Sequence, residues 1–311
     1  MLPHRRDVES AAAALGEKVR HTPTLVLHGD ELGVPFRVVL KLELNQHTGS
    51  FKARGALSSV LRVTGAAGEE SRGVAAASGG NHGAAVAWAA GRVGLTADVF
   101  VPTTSTPAKL ERIRRYGARL HLVEGDVGDA LEACRQHAEQ EGLPVVHPYD
   151  TLATVCGAGT VGLEIIDAVP DAELVLVGCG GGGLYTGVAA AIDGRAQVQP
   201  VETELCPHLH VAREAGRPIP HSSGGAAADS LGPPQIGRLG YETAAAHDTT
   251  SLLVSEEEVL AARRFLWAGV RVLAEPGASV SLAAVLAGRV EAHPGSSVVV
   301  VVSGGNNPEI P

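Results

Sequence analysis

The sequence predicts an α/β protein built on open, mostly parallel, twisted sheets. Three observations predict it. Short β-branched runs recur along the 311 residues, alanine-rich stretches of helical character separate them, and several runs are apolar throughout. Strands that read as continuous apolar runs are covered on both faces, as in parallel sheets with helical crossovers. The alternation itself implies right-handed β-helix-β units.

Taken in order, the strands are expected at Arg37–Glu43, Gly73–Ser78, Ala97–Pro102, Arg119–Glu124, Pro144–Pro148, Leu174–Gly178, Ala196–Glu202, Leu252–Ser255 and Ser297–Ser303. The last contains five successive valines, Val298 to Val302, and should be the most buried. Helices are expected at Gly83–Val93, Pro107–Tyr116, Asp126–Glu139, Glu256–Leu273 and Gly277–Gly288, with another opening at Lys52. The uncharged stretch from Leu174 to Ile192 has the length of a bilayer span, but four consecutive glycines interrupt it. It reads instead as a buried strand, a tight turn and a helix.

Composition narrows the function. Net charge is −9 and aromatic residues make up 3% of the chain, so neither a phosphate-backbone partner nor a base-stacking platform is expected. Nucleic acid and membrane are excluded as partners. Cys134, Cys156, Cys179 and Cys206 are widely spaced, the pattern of small buried hydrophobes in a reducing compartment. Met1–Asp7 lacks an apolar signal core, so a cytoplasmic protein is expected.

In open α/β sheets ligands lie beyond the carboxyl ends of the strands, and four turns there are unusual. The first is Gly178-Cys179-Gly180-Gly181-Gly182-Gly183-Leu184. Glycines admit close approach of a ligand, and the following helix offers free N–H groups and a positive dipole end, which together make a phosphate cradle. The same run satisfies G-x-G-x-x-G through Gly178, Gly180 and Gly183, with Glu202 ending the next strand. That mimics a dinucleotide fingerprint and keeps a nicotinamide-dependent oxidoreductase open as a rival. A non-catalytic small-molecule binding module is a second.

The second turn is Ser50-Phe51-Lys52-Ala53-Arg54-Gly55. The chain has only four lysines, at 18, 41, 52 and 109. Lys18 and Lys109 stand in polar helical contexts and should be solvated, and Lys41 should pair with Glu43. Lys52, near a helix start and beside Arg54, should have a lowered pKa that favours a nucleophilic amine, although taken alone a solvated surface lysine is the simpler reading. The third turn, Ser78-Gly79-Gly80-Asn81-His82, could hold a carboxylate or phosphate, or simply start a helix with Asn81 as N-cap and His82 solvated. The fourth, Ser303-Gly304-Gly305-Asn306, places a hydroxyl at the end of the valine strand.

Together the four turns resemble the β-family, or fold type II, of pyridoxal-phosphate enzymes, and among them the serine/threonine dehydratases. Ser50–Gly55 matches the S-F-K-x-R-G motif, Ser78–His82 the S-x-G-N-H loop, Gly180–Leu184 the G-G-G-G-L loop and Ser303–Asn306 the S-G-G-N turn. Supporting stretches are His147–Asp150, Gly157–Thr160 and Glu275–Ala278. The resemblance spans nearly the whole chain and implies the tryptophan synthase β-like architecture. A large cofactor-binding domain of residues 1–67 and 150–311 would hold an inserted small domain, 68–149. It implies Lys52 as the residue that carries pyridoxal 5'-phosphate, with Phe51, Asn81, Gly180, Gly181, Gly182, Gly183, Leu184 and Ser303 as cofactor contacts. Ser78, Gly79, Gly80, Asn81 and His82 would bind the substrate.

The reaction so implied is β-elimination from a hydroxy amino acid such as L-threonine or L-serine, giving a 2-oxo acid and ammonia. Lys52 would remove the Cα proton, and the neutral Ser303 would leave the cofactor's ring nitrogen unprotonated. Hydroxyaspartate dehydratase, racemase and β-replacement synthase are alternatives within the family. Racemisation is disfavoured, because Gly79 stands where serine racemases carry a second serine. A homodimer is implied, without a C-terminal regulatory domain. Some relatives bind a divalent cation through Glu and Asp; here Glu202 is present but His208 stands in the other place, so a metal is a weak expectation. No role follows for Glu275 or Asp229.

Overall fold

The computed structural model describes residues 1–67, 72–307 and 309–311. Among these residues, nine strands form two sheets: β1 (Thr24–Leu27), β2 (Arg37–Leu42), β3 (Gly73–Ala77), β4 (Thr96–Pro102), β5 (Arg119–Val123), β6 (Ala172–Gly178), β7 (Gln197–Thr203), β8 (Leu252–Val254) and β9 (Ser297–Val302). The larger sheet runs β1-β2-β9-β6-β7-β8 and the smaller β3-β4-β5. Every pairing is parallel except β1 with β2.

The valine strand β9 lies inside the larger sheet, between β2 and β6, and all six of its residues are buried. Its side chains alternate between two apolar clusters. Val298, Val300 and Val302 join Leu174, Leu176 and the Pro276–Leu286 helix on one face. Val299 and Val301 join Val175, Val177 and Tyr185 on the other. A strand covered twice has no polar face, and that explains its composition.

The Leu174–Ile192 stretch is the strand, turn and helix expected of it. Its helix, Gly183–Ile192, packs against Leu152–Ala168 through glycines. A Cβ on Gly187 would lie 2.3 Å from the Val155 carbonyl oxygen, and one on Gly159 would lie 2.5 Å from that of Gly187. The Gly157–Thr160 motif is therefore a packing seam.

The structure departs from the sequence reading in several places. Pro144–Pro148 is not a strand; only Val145 bridges to Ala75, because proline has no N–H to donate to a ladder. The antiparallel edge strand β1 was not expected, since its alternating exposure gives no buried run. Strands β2 and β9 stop one residue short of their expected ends, while the Asn81–Arg92 helix starts two residues before Gly83. The boundary expected at residue 68 lies outside the described residues. All four cysteines are free and buried, and among the described residues no helix is long and apolar enough to cross a membrane.

Candidate active site

The turns that follow β3, β6 and β9 converge with the start of the Lys52–Ala67 helix. Backbone bonds fasten the last turn to the first: Phe51 N donates to Ser303 O at 3.0 Å, Gly305 N to Gly49 O at 3.0 Å, and Ser50 bridges to Gly304. Phe51 packs against the apolar cluster under β9, with Lys52 Nζ 5.0 Å from its ring centre. The Ser303 side chain is buried beside this join.

Lys52 Nζ donates to the Pro148 carbonyl oxygen at 2.9 Å. Burial pushes its pKa down to about 8, opposed by the charge of Glu275. The lowered pKa follows the sequence expectation, but its cause does not. The Arg54 guanidinium is taken up elsewhere, donating to Glu43 at 2.8 Å from both Nε and Nη2 and to Glu164 at 2.6 Å from Nη1. Burial opposes the Arg54 charge, yet these carboxylates raise its pKa. Lys41 does not pair with Glu43; its Nζ donates to Glu164 at 2.5 Å and to Thr22 O at 2.7 Å. Glu43 is filled instead by Arg54 and by the Thr22 hydroxyl. Lys18 is exposed as expected, whereas Lys109 pairs with Asp229 at 2.6 Å.

The glycine turn leads into the Gly183–Ile192 helix, whose first N–H groups have no intrahelical acceptor. No side chain fits here. A Cβ on Gly180 would lie 2.9 Å from Leu231 Cα, on Gly181 2.3 Å from the Tyr149 ring, on Gly182 2.9 Å from Gly240 Cα and on Gly183 2.8 Å from Tyr149 O. Leu184 is buried beneath, in the cluster that holds Val299 and Val301. The His147–Asp150 segment joins this cradle to Lys52: Pro148 receives the amine and Tyr149 covers the glycines. Asp150 accepts from Arg238 N at 3.0 Å and Leu239 N at 2.9 Å, capping the helix that starts at Arg238. Burial raises the Tyr149 pKa to about 12, so its hydroxyl stays protonated.

In the Ser78 loop the Ser78 hydroxyl accepts from Gly80 N at 3.2 Å. The helix N-cap is Gly80, not Asn81. Asn81 turns its amide to Glu275 at 2.8 Å, while its oxygen accepts from Asn306 Nδ2 at 2.8 Å. Asn306 N donates to the other Glu275 oxygen at 3.2 Å. Glu275, which the sequence left without a role, thus ties the third turn to the fourth. Its pKa is raised by burial, against the hydrogen bond from Asn81. The available signal was its place before Pro276, the first residue of a helix. His82 is neither solvated nor turned to the loop: its ring bonds Val146 O at 2.9 Å, and burial drives its pKa to about 3. A neutral imidazole anchored on the Val146 carbonyl in the core fixes the start of the helix that follows the loop.

Glu202 is fully buried, and its carboxylate accepts from Leu209 N, His210 N and the Ser251 hydroxyl at 2.6 to 2.9 Å. These donors all come from the segment that follows the strand and from Ser251, so the carboxylate is held within its own neighbourhood. Among the described residues one group could gather around a metal ion, Asp98, His121 and His137 on the smaller sheet and its covering helix. There Asp98 already accepts from Arg119 and His121.

Comparison with known proteins agrees with this geometry. The family described as pyridoxal-phosphate dependent enzyme matches residues 16–304. The L-threonine ammonia-lyase of Thermotoga maritima is 36% identical over 273 residues, 86% of this chain and 67% of that one. The phenylserine dehydratase of Ralstonia pickettii is 33% identical over 98% of this chain and 94% of its own. Among solved structures, a threonine deaminase from T.th. superposes with a TM-score of 0.90 at 32% identity, covering 99% of this chain and all of that one. Maize serine racemase gives a TM-score of 0.91 at 27% identity, covering 99% and 94%.

Proposed function

Because the chain belongs to the pyridoxal-phosphate dependent enzyme family, we propose that it catalyses β-elimination from a hydroxy amino acid such as L-threonine or L-serine, releasing a 2-oxo acid and ammonia. The observation that carries this reading is the Lys52 amine, lowered to about 8, at the edge of a glycine cradle that no side chain could enter.

The residues present fit the cofactor. Lys52 would hold its aldehyde carbon, the N-terminus of the Gly183–Ile192 helix its phosphate, Asn81 its ring oxygen and Ser303 its ring nitrogen, with Phe51 beside it. When bound, pyridoxal phosphate supplies the electron sink that makes the substrate Cα–H acidic. The free Lys52 amine would serve as a general base at its Nζ, and a pKa near 8 leaves part of it neutral at physiological pH. The Ser78–His82 loop binds the substrate carboxylate through backbone N–H groups and the Ser78 hydroxyl. Ser303 has no proton-donating acid to lend, which favours prompt loss of the β-hydroxyl over transamination. At Gly79 there is no hydroxyl to protonate the opposite face, which argues against racemisation.

The division into residues 1–67 with 150–311 and 68–149 is supported by the two separate sheets. The substrate then lies in the cleft between them, where closure excludes water. A homodimer in the cytoplasm completes the reading, and the four free cysteines suit a reducing compartment. The test is product analysis of the cofactor-loaded protein with L-threonine, L-serine, phenylserine and threo-3-hydroxyaspartate. A stoichiometric 2-oxo acid and ammonia from at least one is expected. Turnover of none, or formation of the opposite enantiomer without ammonia, overturns the proposal.

A further inference from the structure

The smaller sheet carries a cluster of ionisable side chains that the elimination reading does not use. Asp98 stands in β4 among apolar buried residues and is itself buried. Alternate residues of a strand share a face, so Asp98 and Phe100 project together. The register of β4 with β5 sets Arg119 beside Asp98 and His121 beside Phe100. The Val127–Glu141 helix covers the same face, packing Cys134 and Ala138 on Phe100 and contributing His137. Three elements that are separate in sequence thus bring two imidazoles and one carboxylate to a single point.

The geometry at that point suits a metal ion. Asp98 Oδ1 is 2.7 Å from His121 Nε2 and 3.8 Å from His137 Nε2, and the three atoms lie within 4.8 Å of one another. Those two distances straddle the separation of about 3.3 Å between neighbouring ligands of a tetrahedral zinc with bonds of about 2.0–2.1 Å. The other carboxylate oxygen, Oδ2, accepts from Arg119 at 3.0 Å, which turns Oδ1 toward the rings. Phe100 is the floor: its ring stacks on His121 at 4.4 Å and meets His137 at 5.2 Å. The two imidazoles are 35% and 27% exposed, so an ion can enter from solvent and keep a water on that side.

We infer that Asp98, His121 and His137 form a zinc site, open to water in its fourth position, that ties β4, β5 and the Val127–Glu141 helix together. The hydrogen bond between Asp98 and His121 gives way to the ion, while the Arg119 contact stays. Two imidazoles and a carboxylate are zinc ligands, and at such donors zinc binds more tightly than manganese or ferrous iron. None of the three residues belongs to the turns around Lys52, so the site is independent of the elimination reading and its readout needs no turnover.

The cofactor-loaded protein is freed of metal with a chelator and dialysed against zinc chloride. Wild type should retain one zinc per chain, and so should His247→Ala, which removes an exposed imidazole outside the cluster. His121→Gln and His137→Gln should each bind zinc at least about 100-fold more weakly, the upper end of what loss of a mere outer-shell partner costs. At 100 times its dissociation constant, zinc should raise the wild-type thermal midpoint by about 4 °C and that of either glutamine variant by about a degree at most. Magnesium, which takes oxygen ligands, should raise neither. Modification with diethyl pyrocarbonate, mapped by mass spectrometry, reads the same point on wild type alone and decides the matter should a variant fail to fold. Zinc should protect His121 and His137 and leave His247 reactive. A wild type that retains no zinc, zinc binding unchanged in both glutamine variants, or equal modification of His121 and His137 with and without zinc overturns the assignment.

Discussion

Replacing Arg54 with methionine tests how the lysine-bearing helix is held. Arg54 and Glu43 are both fully buried, and the guanidinium makes two bonds to Glu43 and one to Glu164, which also holds Lys41. Methionine retains most of the volume and removes the charge, so Glu43 is left without a cation in the interior. Breaking a buried pair from one side costs about 3–5 kcal/mol. For 311 residues the unfolding entropy is on the order of 0.65 kcal/mol/K, so the thermal midpoint should fall by about 5–8 °C. The assay is thermal unfolding at fixed cofactor concentration, with Arg238→Met as the control. Arg238 pairs with Glu242 in the open, one helical turn away, and its loss should move the midpoint by about a degree at most. Lys52 is the first residue of the same helix, so Arg54→Met should also load less cofactor. A shift no larger than the control's would refute the reasoning, and the network would then be worth no more than a surface pair.

Two further outcomes follow from the same geometry. Gly181→Ala sets a methyl 2.3 Å from the Tyr149 ring; cofactor affinity, titrated by absorbance, should fall at least tenfold, on the order expected for a crowded site, and unchanged affinity would mean the cradle is not where the phosphate sits. For the cofactor-stripped protein, Lys52 has a folded pKa of about 8 against 10.5 unfolded. Below pH 8 both states carry the proton. Between about 8 and 10.5 only the unfolded state keeps it, so stability should rise with pH across that window, by about 3 kcal/mol in all. Lys52→Met should flatten the rise, as read by denaturant unfolding at a series of pH values.

Much of the fold was legible because buried parallel strands leave a direct mark: Val298–Val302 has no polar residue because neither face meets water. The site was legible where a turn needs a residue type for a local reason, as with the glycines from 180 to 183. What escaped were partners far apart in sequence. Arg54 and Glu164 are 110 residues apart and Asn81 and Glu275 are 194 apart, and no spacing rule joins them. Lys41 was matched to Glu43 because they are near in sequence, yet Glu43 is filled by Arg54 and leaves it no place. Strand β1 and the Val145 bridge are hard to read from sequence for the opposite reason, that edge pairing needs little composition of its own. His82 shows a third limit, since a histidine in a polar motif looks solvated until the carbonyl of Val146 is found behind it.

The most direct measurement is borohydride reduction of the cofactor-loaded protein followed by peptide mapping. With lysines only at 18, 41, 52 and 109, the label should appear on Lys52 and nowhere else, and Lys52→Ala should form neither the label nor 2-oxo acid. A label on any other lysine, or 2-oxo acid production that survives in Lys52→Ala, would contradict the account.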